Sequence, residues 1–384
     1  RGNNSVNIEQ AIIAYKQALT VITAETYPVE WATAQNNLGV AYKQRPQGDF
    51  PRNLELAITA YKQALTVRSQ HAFPIEWAQT QNNLANAYVD RIYGNRAENF
   101  EQALTIHQQS LTVRTFETLP FDWAETQNNL GYAYSMRSYG DRAENIEFAI
   151  SAYTQSLVES TAVTLPIEHR QTSMYLALLL VEAQRWSEAA AAFKSALTAG
   201  NLLYLAASTP EARQAELRNN GVLPSWLAYT FAKAGQLAQK RYADAVVALE
   251  QNRARWLAES LALRNTKPER VPEEIWNEFI AAGALVRRLQ AEAQLSDRTP
   301  GKRGFLALSD ALTSARIELD ALVIQVRSFA PDFLPDPSFE QVCAAVATGG
   351  VLIYLLATSV GGLALVVRAD SVEPVWLDGL TDAI

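Results

Sequence analysis

Small and aromatic residues return at helical spacing along the first half of this chain, and the whole pattern then repeats. Ala11, Tyr15 and Ala18 stand at i, i+4 and i+7; so do Ala57, Tyr61 and Ala64, and Ala149, Tyr153 and Ser156. That spacing places each trio on one face of a helix. A second motif alternates with it, Leu38-Gly39-Val40-Ala41-Tyr42 and Leu130-Gly131-Tyr132-Ala133-Tyr134. The period is 46 residues: Asn7, Asn53, Asn99 and Asn145 keep it, as do Gly2, Gly48, Gly94 and Gly140, and Pro28, Pro74, Pro120 and Pro166. Trp31, Trp77 and Trp123 follow the same step, with His169 in the fourth place. Residues 53–98 and 99–144 are identical at 25 of 46 positions without a gap. Self-similarity of this kind is the signature of a stacked repeat array.

Each unit reads as two helices. One is predicted to begin near Asn7, Asn53, Asn99 and Asn145, with Asn95/Glu98 and Asp141/Glu144 as capping boxes. The other is predicted to open at the repeated proline, whose missing N–H is harmless in a first turn. An acid follows two residues later (Glu30, Glu76, Asp122, Glu168), where the helix dipole favours it. Asn201–Pro224 is expected to interrupt the repeats. Trp226–Leu263 reads as a further helical pair, and Val271–Leu295 and Phe305–Phe329 as two long amphipathic helices joined by a loop at Asp297–Gly304. Residues 338–347 predict a short helix. The nearly apolar stretch Gly349–Val367 is long enough for a membrane span, but Gly361 and Gly362 lie within it beside Thr358 and Ser359. Two buried strands, 351–357 and 363–367, joined by a turn fit it better, with Pro374–Leu377 as a third apolar run. These strands are expected to pack on the 271–329 helices or to be poorly ordered.

The small–aromatic–small trio and the Leu-Gly-x-x-Tyr motif resemble the tetratricopeptide repeat over about residues 1–200. The departure is length, since the family unit has about 34 residues. Extended units of this kind are similar to those of kinesin light chains and many cyanobacterial proteins. Leu176, Ala177 and Leu180, then Ala189, Phe193 and Ala196, return to the usual spacing. The resemblance implies a mainly α fold, a right-handed α-α superhelix, with a groove lined by the residue before each packing leucine. In this sequence those residues are Asn37, Asn83 and Asn129, and further groove positions would be Val40, Asn86 and Tyr132. An amide both donates and accepts, so a line of them could hold an extended peptide or protein segment by its backbone, the amides otherwise being hydrated. The structural alternative is that the amides bond to neighbouring helices and set the repeat spacing. Gly2 is in phase, so the chain is expected to begin inside a repeat whose first helix lies upstream.

A second resemblance covers about 245–384. Leu249-Glu-Gln-Asn-Arg-Ala-Arg-Trp-Leu257, then Phe329-Ala-Pro-Asp-Phe333, then Val351–Tyr354 and Gly361–Val367 look like the entry to a CHAT domain, a caspase-like fold associated with tetratricopeptide repeats. Asn252 departs from the glycine more usual there. Three regions are thus expected: repeats over 1–200, a helical connector over 201–334, and over 335–384 the first strands of a caspase-like α/β domain. The resemblance implies a parent that is a cysteine endopeptidase whose catalytic His and Cys lie beyond residue 384. No catalysis is expected from these residues. The alternative function is a non-enzymatic interaction scaffold with an inactive sheet domain.

Composition narrows the chemistry. Lys and Arg number 33 against 40 Asp and Glu, a net charge of −7, which argues against a general nucleic-acid binder. Cys343 is the only cysteine, so a disulfide framework is excluded, and a reducing, cytoplasmic setting is expected. Cys343 reads as a buried small hydrophobe; of the three histidines, His71 lies near a helix end, His107 at the packing position of Tyr15 and Tyr61, and His169 at that of the repeated tryptophan. None is placed to form a dyad with it. The tryptophans are expected to be packing residues. Arg91, Arg96, Arg137 and Arg142 with Glu98 and Glu144 are expected to form solvated, salt-bridged turns. Arg287, Arg288, Lys302 and Arg303 read as a solvated basic face. No cofactor, metal site, nucleic-acid or membrane partner is expected.

Overall fold

The computed structural model describes residues 4–207, 210–235, 242–251, 253, 267–293, 295, 301–331, 333 and 338–381. The protein is mainly helical with a small antiparallel sheet near its C-terminal end, and it divides into two compact units, 1–159 and 160–384.

In the first unit, α1 (Asn4–Ala18), α2 (Pro28–Lys43), α3 (Phe50–Leu65), α4 (Pro74–Asp90), α5 (Arg96–Ser110), α6 (Pro120–Ser135) and α7 (Arg142–Glu159) pack each on the next. The even-numbered helices start on the repeated prolines. The odd ones start three residues before the repeated asparagines, because Asn53, Asn99 and Asn145 are buried anchors rather than caps. Their amides donate back to Gln47 O (2.9 Å), Tyr93 O (3.0 Å) and Tyr139 O (2.8 Å). Capping falls to Asn95, which accepts from Ala97 N, and to Asp141, which accepts from Glu144 N at 3.0 Å. The turn before each odd helix holds Gly48, Gly94 or Gly140 at φ +82, +81 and +79°. Glycine takes that left-handed conformation without strain.

These turns are clasped by ion pairs that cross between units of the repeat. Arg45 grips Glu9, Arg91 grips Glu55 and Arg137 grips Glu101, each through Nε and Nη2 at 2.6–2.9 Å. The partner acid lies 36 residues upstream, not in the turn itself, so the expected partners Glu98 and Glu144 are replaced.

In the second unit, α8 (Pro166–Glu182) and α9 (Trp186–Ala206) continue the helical-pair pattern, with Leu176, Ala177, Leu180, Ala189, Phe193 and Ala196 all buried. α9 runs through Asn201 to Ala206, into the stretch expected to interrupt the repeats, and Gly200 leaves room for the Asn220 side chain against the helix. Then come α10 (Pro210–Asn219) and α11 (Leu223–Ala234), and 242–251 is helical. Asn252 and 254–257, part of the expected connector motif, lie outside the described residues. The helices Glu273–Ala293 and Phe305–Phe329 form an antiparallel hairpin, closed around its own core with Tyr204, Ala206 and Leu217.

The hairpin of strands replaces the ambiguous apolar stretch. β1 (Leu352–Thr358), β2 (Gly361–Val367) and β3 (Val372–Leu377) pair antiparallel in the order β1-β2-β3. Their inner face does not rest on the long helical hairpin as expected. Tyr354, Leu356, Leu363, Leu365 and Val367 pack with Ala228, Tyr229, Tyr242, Val246 and Leu249, and with Val342 and Cys343 of the helix Phe339–Ala344. The hairpin's apolar stripe is already buried in its own core, which leaves the sheet to α11 and its neighbours. No helix among the described residues is long and apolar enough to cross a membrane.

Candidate functional site

Asn37, Asn83 and Asn129 occupy one position on α2, α4 and α6, and all are half-buried. One turn further, on the same faces, stand Val40, Asn86 and Tyr132, also half-buried. The helices are knitted together at this line. Asn83 Nδ2 donates to Asn36 Oδ1 at 3.2 Å, and Asn129 Nδ2 donates to Asn82 Oδ1 at 3.2 Å. Asn36 Oδ1 also accepts from Thr80 Oγ1 at 3.3 Å, and Asn36 Nδ2 donates to Asn37 Oδ1 at 3.2 Å. Lys43 Nζ meets Asp90 Oδ2 at 3.1 Å across the same pair of helices.

The expectation of simply hydrated amides therefore needs correction. Asn36 and Asn82 are buried, so their carbonyl oxygens require donors, and the neighbouring unit supplies them. Each ladder amide carries two N–H groups and an oxygen with two lone pairs. Asn83 and Asn129 commit one N–H each, and their Oδ1 atoms receive no hydrogen bond among the described residues. The inter-unit bond fixes the orientation of the amide plane. Asn83 and Asn129 thus present oriented acceptors with a spare donor on each, while the Asn37 oxygen already accepts from Asn36; Asn86 and Tyr132 flank them.

Deeper in the unit lies a second polar system. Arg68 is buried and donates to Thr80 Oγ1 at 2.9 Å and Thr33 Oγ1 at 3.0 Å. Arg114 repeats the arrangement with Thr126 Oγ1 at 3.1 Å and adds Glu125 Oε2 at 3.0 Å. Gln81 and Gln127 donate to Gln109 (3.3 Å) and Gln155 (2.7 Å). The signal for the guanidinium series was present in the sequence, since Arg68 and Arg114 keep the 46-residue step, as do Glu9, Glu55 and Glu101.

The remaining candidates separate. Trp31, Trp77 and Trp123 are half-buried, and Trp123 meets Phe116 edge-on at 5.3 Å between ring centroids. His107 is fully buried with neither ring nitrogen bonded, and burial, with Arg114 and Lys43 adding to it, pushes its pKa down to about 3. His169 contacts the Ser160 carbonyl through Nδ1 and Ser195 Oγ through Nε2 at 2.6 Å; burial lowers its pKa. His71 is exposed. Cys343 is buried in the sheet core, where burial and then Asp370 and Glu340 raise its pKa, so the reactive thiolate is disfavoured. Among the described residues no group of three His, Cys, Asp or Glu side chains could hold a metal ion. Of the basic set, Arg303 pairs with Glu292 at 2.8 Å, while Arg287 turns inward to the Ala206 carbonyl instead of lying on a solvated face. Compared with known proteins, the chain matches no family model and no curated protein.

Proposed function

We propose that the face carrying Asn37, Asn83 and Asn129 binds an extended peptide or protein segment, and that the repeats are the recruitment and regulatory arm of a caspase-like cysteine peptidase of the CHAT type. The observation that carries the binding reading is the ladder of oriented amides. Asn83 and Asn129 are each held by an asparagine of the preceding unit yet keep an oxygen and an N–H for a ligand, and Asn37, whose oxygen accepts from Asn36, keeps its N–H groups. An amide whose rotamer is already fixed loses less freedom on binding than a mobile one. Such a row suits a main chain, which offers alternating N–H and C=O groups whatever its side chains. In this reading the array winds as the right-handed superhelix of tetratricopeptide proteins, with the ladder along its concave side. The peptidase assignment rests on the resemblance of the 245–384 region and on the order repeats, connector, sheet. It carries no catalytic residue into this chain.

The test is a selection of random linear peptides on the full chain, counter-selected against the Asn86→Ala/Tyr132→Ala double variant. Neither residue belongs to the inter-unit ladder, so the fold should be preserved. Peptides that bind the parent and not the variant are expected. Binders that hold both equally would place the peptide surface elsewhere.

A further inference from the structure

One feature of the second unit is left unused by the peptide-binding face. A cavity of about 290 Å³ lies between α9, α10 and the helix Glu273–Ala293. That is at the low end of the range for small-molecule sites. Its walls are largely apolar, with Ile167, Leu203, Ala212 and Ala291 among them. Three polar side chains border it: Glu216, Arg287 and Gln290.

Their partners differ. The Glu216 carboxylate is taken, with Arg170 Nη1 at 2.7 Å. Arg287 donates to the Ala206 carbonyl at the C-terminal end of α9 and has no carboxylate partner among the described residues. Gln290, one helical turn further along, has its Nε2 buried and without any hydrogen-bond partner. A buried amide donor left unsatisfied is costly, and so is a half-buried guanidinium with no counter-charge. Arg213, on α10, donates to the Ala207 carbonyl at 3.4 Å. Burial draws the Arg287 pKa below its ordinary value, in keeping with a cation that lacks a counter-ion. At physiological pH it remains charged.

We propose that this pocket binds a small carboxylate with a short apolar tail, its carboxylate on Arg287 and Gln290 and its tail against Leu203 and Ala291. The planar guanidinium fork matches a carboxylate. The Gln290 amide supplies a second donor one turn away on the same helix face. A neutral amide ligand would leave the guanidinium charge uncompensated, and an amine would add to it.

The experiment is calorimetric titration of the full chain with hexanoate, hexanamide and hexylamine. Hexanoate is expected to bind saturably, hexanamide at least about tenfold more weakly, and hexylamine not at all. Gln290→Leu removes only an unbonded donor, so its unfolding midpoint should hold or rise while hexanoate affinity falls several-fold. Arg287→Gln should abolish hexanoate binding. No saturable binding of hexanoate at millimolar concentration, equal binding of hexanamide, or full affinity in Gln290→Leu would each overturn the proposal. These outcomes are independent of whether the asparagine face binds peptides.

Discussion

A Cβ placed on Gly131 would stand 2.7 Å from Cδ1 of Tyr153, the buried ring of the following helix. Gly39 stands in the same relation to Tyr61, at 2.6 Å from Cε1. No side chain fits such gaps, so the glycine of one helix and the ring of the next form a matched pair. The middle repeat has Ala85 and His107 at the equivalent positions, both fully buried. A smaller ring there accompanies the added methyl group. The repeat thus conserves the volume at this contact while exchanging the residues that fill it.

Gly131→Ala is therefore expected to destabilise the protein by about 1–3 kcal/mol, as overpacking of a rigid contact does. Adding Tyr153→His should recover part of the loss, with a coupling above about 0.5 kcal/mol. Denaturant unfolding of the two single variants and the double variant checks this. Strict additivity would show that the pair is not matched.

His107 makes the middle repeat acid-sensitive. Its folded pKa is pushed down to about 3 by burial, so the unfolded chain takes up the proton first. Stability from this residue is complete above the unfolded value near 6.5 and falls as pH drops toward 3, by about 1.4 kcal/mol per pH unit. Ala85→Gly/His107→Tyr, which restores the pair of the flanking repeats, should remove that slope. Urea unfolding of both proteins between pH 7 and pH 4 measures the difference. Parallel curves would contradict a buried neutral imidazole.

The helices of the repeats were legible because proline, the small–aromatic–small trio and the 46-residue step each mark one. The strand hairpin was legible from Gly361 and Gly362 between aliphatic runs. Partners distant in sequence were not. Arg91 faces acids on both sides in sequence, and only packing of α3 against α4 selects Glu55 over Glu98. Likewise the amide positions at Asn36–Asn37 could be read as groove-facing, but their bonds depend on a one-residue offset between neighbouring units, Asn36 meeting Asn83 rather than Asn82. Arg287 read as solvated because nothing local announces the end of α9 beside it.

The Arg91–Glu55 clasp has both side chains about a third exposed or less, so solvent screens it. Glu55→Gln is expected to cost under about 1 kcal/mol, and less as salt is raised. Gly94→Ala in the same turn should cost more, about 1–2 kcal/mol, because φ +81° is strained for alanine. Thermal unfolding at low and high salt distinguishes the two. A salt-sensitive glycine variant or a salt-insensitive glutamate variant would reverse the assignment.

Cys343 should be inert in the folded protein. It is buried and its pKa is raised, so alkylation by iodoacetamide at neutral pH should be slow until denaturant is added. A peptidase assay of this chain on a peptide library should show no cleavage. Rapid labelling of the native protein, or cleavage lost on Cys343→Ala, would show a functional thiol.

The central claim is that oriented amides grip a main chain, and an N-methyl scan of a peptide selected on the full chain tests it most directly. Methylation of a peptide nitrogen removes a backbone donor without altering side chains. At the positions that meet Asn37, Asn83 and Asn129, it should weaken binding by about 2- to 13-fold each, the worth of one hydrogen bond. An alanine scan of the same peptide should show smaller effects. Tolerance of methylation at every position, with one or two side chains carrying the affinity, would contradict the account.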